Sequence, residues 1–135
     1  MRDRPMGEDL LGIIARIKDG DPSVRLPEDG RYKELMIANA EAIAARQKEA
    51  GDEPERREQE DLARILGNKG PLSDLNRALA AAIRRGEYDP GTADFDALGK
   101  HLWRTALERV RESNPKALRP SSGVQSEGKK EREDL

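Results

Sequence analysis

Apolar residues fall into five short blocks along this chain, each at helical spacing and each closed by a glycine or proline stop. That pattern predicts an all-α fold, a bundle of about five helices without a sheet. The first block, over 8–18, carries Leu10, Ile13, Ile14 and Ile17 and stops at Asp19-Gly20-Asp21-Pro22. The second, over about 31–50, places Leu35, Met36, Asn39, Ala40, Ile43 and Ala44 on one stripe and ends at Gly51. The third, over about 54–66, opens with acids and a proline, as a helix N-terminus prefers. Its first half is almost all charged, and only Leu62, Ile65 and Leu66 are available to anchor it, so it is expected to be the most exposed helix. The fourth carries Leu75, Leu79, Ala82 and Ile83, with Ser73 or Asp74 as cap and Gly86 as stop. The fifth carries Phe95, Leu98, Leu102, Ala106, Leu107 and Val110, with Thr92 or Asp94 as cap, and stops at Asn114-Pro115.

Composition supports helices over strands. Only four of the 135 residues are aromatic (Tyr32, Tyr88, Phe95 and Trp103), whereas Ala, Leu, Arg and Glu abound. The bundle is expected to form one domain over 1–118. Residues 119–135 are polar and of low complexity, cannot bury enough surface to offset chain entropy, and are expected to be disordered.

Several function classes drop out. The net charge is −2 with both signs mixed, which leaves no basic footprint for nucleic acid. No apolar run approaches the length of a membrane span, and residues 1–7 do not form a signal peptide. The absence of cysteine excludes disulfides and thiolate metal sites. A cytoplasmic protein without metal or cofactor is the expectation.

Candidate chemistry is sparse. His101, the one histidine, has Thr105, Glu108 and Ser113 nearby in sequence but no motif linking them, and reads as a structural or surface residue. Gly67-Asn68-Lys69-Gly70 is a turn, since it lacks the Gly-Lys-Ser/Thr ending of a phosphate loop. Glu58, Glu60 and Asp61 read as a solvated charge run. No residue is assigned a catalytic, cofactor-binding or metal role. The candidate interface or helix-clamp residues are Asn39, Asn76, Tyr32 and Trp103. Asn39 interrupts an apolar stripe and reads as a polar clamp. Asn76 fits a clamp or a helix cap equally well, and Trp103 reads as core ahead of interface anchor.

Asp3-Arg4-Pro5, Met36-Ile37-Ala38-Asn39-Ala40, Leu75-Asn76-Arg77-Ala78-Leu79-Ala80, Ile83-Arg84-Arg85-Gly86-Glu87 and Asn114-Pro115 occur in that order. Over about residues 3–118 the chain resembles a bacterial family of small helical proteins long classed as a domain of unknown function. That family includes LvaB, the small subunit of a levulinate-pathway hydroxyacyl-CoA kinase. Tyr32-Lys33-Glu34 departs from the aromatic and basic segment expected there, so no anion-binding role is given to it.

The resemblance implies a non-catalytic accessory subunit of an aminoglycoside-phosphotransferase-like kinase, meeting acyl-CoA only through the complex. The chemistry agrees: phosphoryl transfer needs metal-binding acids, a phosphate-cradling loop and a base, and the chain carries none of these as a motif. The alternative is a homo-oligomeric helical ligand-binding or scaffold protein. An independent enzyme would have to use His101.

Overall fold

The computed structural model describes residues 1–120. The expected disordered tail lies, from 121 onward, outside them. Five α-helices follow in order: α1 (Gly7–Lys18), α2 (Gly30–Ala50), α3 (Glu53–Leu66), α4 (Leu72–Arg84) and α5 (Phe95–Ser113). A single 3-10 turn, Pro115–Leu118, closes them. There is no strand among the described residues, and no helix is long and apolar enough to cross a membrane.

The stops fall where chain chemistry puts them. Asp29 caps α2 by accepting from the Arg31 and Tyr32 amides. Gly86 follows α4 at φ +78°, a left-handed conformation that an L side chain avoids. The Ser73 and Asp74 caps do not occur, because α4 begins one step earlier, behind Pro71. Both residues sit in its first turn, where Asp74 still complements the helix dipole. Asp94 stands at the N-terminus of α5 without a side-chain capping bond, while the Thr92 hydroxyl donates to Asp89 O within the preceding loop.

The helices form two groups. In the first, α1 and α2 pair as a hairpin. Gly7 is buried against α2, where an added Cβ would lie 3.0 Å from the Ala44 backbone, and the Gly7 amide donates to Gln47 Oε1 at 2.8 Å. In the second, α3 packs on both α4 and α5. Leu62, Leu75, Leu79 and Leu98 form its core, flanked by Ala63, Leu66, Leu72 and Tyr88.

A polar seam joins the groups. Arg2 grips Glu112 on α5 through two nitrogens, at 3.0 and 2.6 Å, and reaches the Gly51 carbonyl behind α2 at 2.6 Å. Arg46 on α2 donates to Glu112 O at 2.5 Å.

Three expectations are corrected here. α3 is not the exposed helix: Leu62 is fully buried, and Glu58 and Asp61 are buried beside it. Its acids find partners on α4 and α5, which removes the usual reason for carboxylates to stay in water. Asn39 is exposed, so it clamps no helix among the described residues. Of the expected stripe, Ala40, Ile43 and Ala44 are covered, together with Ile37, while Leu35 and Met36 stay in solvent. Trp103 is not core but, among the described residues, the most exposed large apolar one, at 69%.

Candidate functional site

Glu58, Asp61, Leu62 and Ile65 recur at three- and four-residue steps, which puts them on one face of α3. His101, Arg104, Thr105 and Glu108 do the same on α5. Docking the two faces brings acids of one helix against bases of the other. His101 Nδ1 lies 3.2 Å from Asp61 Oδ2. Arg104 also reaches Asp61, Arg64 holds its other oxygen at 2.5 Å, and Arg57 meets Glu108 at 3.1 Å.

Burial alone would raise the Asp61 carboxyl, but hydrogen bonds from His101 and Arg104, with the Arg104 and Arg64 charges, outweigh it and hold its pKa below the ordinary carboxylate value. An ionised carboxylate only accepts hydrogen bonds, so Nδ1 of His101 carries the proton and Nε2 is left uncommitted by Asp61.

The pair forms one wall of a cleft of about 390 Å³ between α3 and the start of α5. Arg64, Lys100, Arg104 and Asp94 line it as well, and Ile65 and Ala97 are its apolar lining residues. The volume lies in the range of small-molecule sites. The hydroxyls near His101 in sequence point elsewhere: Thr105 donates to Leu102 O at 3.0 Å and Ser113 to Arg109 O at 2.9 Å. The geometry therefore offers an oriented acid–base group beside cations, with no hydroxyl nucleophile aligned on it among the described residues. Among the described residues, no group of three or more His, Cys, Asp or Glu side chains is placed to hold a metal.

Of the sequence candidates, Asn76 makes a cross-helix bond. Its Nδ2 donates to Glu58 Oε1 on α3 at 3.0 Å and to Leu72 O at 3.2 Å. Tyr32, Asn39 and Trp103 are exposed and do not meet the cleft. Asp61 and Arg104 are absent from the sequence candidates. Their matching helical spacing on α3 and α5 was the available signal, and the charge-run reading of Glu58 and Asp61 hid it. Of that run only Glu60 is solvated.

The lowered Asp61 pKa has a consequence for acid stability. The unfolded chain binds this proton more tightly than the folded one, so the stabilisation is complete above the ordinary value of about 3.9 and drains away as pH falls through and below it. Asp21, lowered to about 2 chiefly by Ser23 and also by Arg16, and Glu53, lowered by Arg56, act in the same direction on the surface. Asp61→Asn is expected to flatten the acid limb of a pH–stability curve. An unchanged limb would show that the Asp61 pairs do not form in solution.

A family model described as a domain of unknown function (DUF6285) matches residues 24–117. The match takes in α2 to α5, with both Asp61 and His101, and is shorter at the N-terminal end than the resemblance over 3–118. No curated protein and no solved structure matches the chain.

Proposed function

The chain belongs to the family described as domain of unknown function DUF6285, and from that premise we propose that it is a non-catalytic accessory subunit of a larger phosphotransferase-like kinase. The finer form of the proposal, by resemblance to LvaB, is a kinase acting on hydroxyacyl-CoA in acid catabolism. The observation that carries it is the unfinished α1–α2 hairpin. Its buried apolar side chains are Ile14 and Ala44, while Leu35 is 60% exposed, Tyr32 54%, and Leu11 and Met36 nearly half. Trp103 and Leu102 add exposed apolar surface on α5. Surface of this kind marks protein interfaces, and Tyr and Trp are frequent energetic anchors there. A kinase subunit would supply the metal-binding acids, phosphate loop and base that phosphoryl transfer requires.

Co-expression with a neighbouring-gene kinase of the aminoglycoside-phosphotransferase type, followed by pull-down, tests the reading. The chain is expected to co-purify, and Leu35→Asp and Tyr32→Asp to abolish co-purification without lowering the melting temperature. The purified chain alone is expected to transfer no phosphate from ATP. Asn39→Leu, on the same exposed helix, is expected to leave stability unchanged and to weaken the pull-down. A chain that ignores the kinase would overturn the proposal. Self-association abolished by Leu35→Asp would instead establish the homo-oligomer, because the same apolar surface suits a second copy.

A further inference from the structure

Three cations, Arg64, Lys100 and Arg104, stand against two carboxylates, Asp61 and Asp94, around the α3–α5 cleft. The charge of Asp61 is engaged by Arg64, Arg104 and His101 at once. Each guanidinium gives Asp61 only one nitrogen, Nη2, in these bonds, and a guanidinium carries five N–H donors in a planar fork. Asp61 thus works as a positioning residue, fixing two forks from opposite helices in the lining of one cavity. Lys100, one turn before Arg104, supplies a third cation to the same lining.

We infer that this cleft binds a phosphate group, held by Arg64, Lys100 and Arg104 above the His101 ring. A tetrahedral anion can take donors from three directions, whereas a planar carboxylate is satisfied by one fork. His101 suits such a ligand in either protonation state: a neutral Nε2 accepts the proton of a hydrogen phosphate, and a protonated ring donates. The cavity exceeds the needs of an inorganic ion, and Ile65 and Ala97 offer an apolar surface for whatever carries the phosphate. This site is separate from the exposed apolar surface of α2 and does not depend on the kinase reading.

The test uses the full chain in amide-resolved NMR titrations with inorganic phosphate and with phenyl phosphate, against chloride at equal ionic strength. Saturable shifts confined to the 61–65 and 97–104 segments are expected. Tighter binding of phenyl phosphate would identify the phosphate of an organic molecule as the ligand, and equal binding would identify free phosphate. Arg64→Gln and Lys100→Gln, both on solvent-exposed residues, are each expected to weaken binding roughly tenfold. Arg56→Gln, on the outer face of α3, should change nothing. Shifts that match chloride, or that survive in the Arg64→Gln/Lys100→Gln double variant with the rest of the spectrum unchanged, would overturn the assignment.

Discussion

Leu62→Ala is expected to lower stability by about 2–5 kcal/mol, the range for truncating a buried leucine. Leu62 has no exposed surface and sits among Leu75, Leu79 and Leu98, so the deleted carbons leave a void lined from three helices. Small domains are stable by only about 5–15 kcal/mol, and so few buried side chains leave little to compensate. Denaturant unfolding would show the midpoint falling with the slope unchanged. Leu35→Ala is the control: its side chain already faces water, and a change within about 0.5 kcal/mol is expected. Equal effects at the two positions would mean that α3 is not the centre of the core.

Glu58→Ala carries the second large effect. Glu58 is almost fully buried and accepts the Asn76 amide across the α3–α4 contact. Truncation takes one acceptor from that amide, which keeps Leu72 O, and leaves the Met1 amine and Arg109 without their carboxylate, at a cost of about 1–3 kcal/mol in addition to the lost packing. Glu58→Gln keeps an acceptor for Asn76 and should cost less. Pairing Glu58→Leu with Asn76→Leu removes both polar groups together, so the double variant should lose less than the two single losses combined. Strict additivity in that cycle would show that the two side chains do not meet.

Most helix boundaries were legible because each depends on a few consecutive residues. Gly20, Gly51 and Gly86 all take positive φ after a helix, and Asn114-Pro115 ends α5 as expected. What lay hidden was which face turned inward. On α2 the apolar residues are spread around more than one face, so the expected stripe holds only in part: Ala40, Ile43 and Ala44 are covered along with Ile37, Leu35 and Asn39 are not, and only packing against neighbouring helices decides between them. On α3 the charges obscured burial, since a buried carboxylate is affordable only if bases arrive from elsewhere. Asp61 and His101 are 40 positions apart, and no local pattern couples them. Trp103 went astray for the opposite reason: its size argues for burial, but it stands two positions from His101, on a different side of α5 from the residue that faces α3.

The seam between the two helix groups rests on the guanidinium groups of Arg2 and Arg46 at Glu112 rather than on interlocked leucines. Such a joint is electrostatic, and because Arg2 and Glu112 are mostly buried, dissolved salt weakens it only modestly. The two groups should therefore exchange backbone hydrogens for deuterium on separate schedules. Amides of α1 and α2 open first, those around Leu62 only with global unfolding, and added salt widens the interval between them only slightly. A binding partner that clasps the hairpin would act as a latch, slowing the early exchange while leaving the late exchange at its own pace.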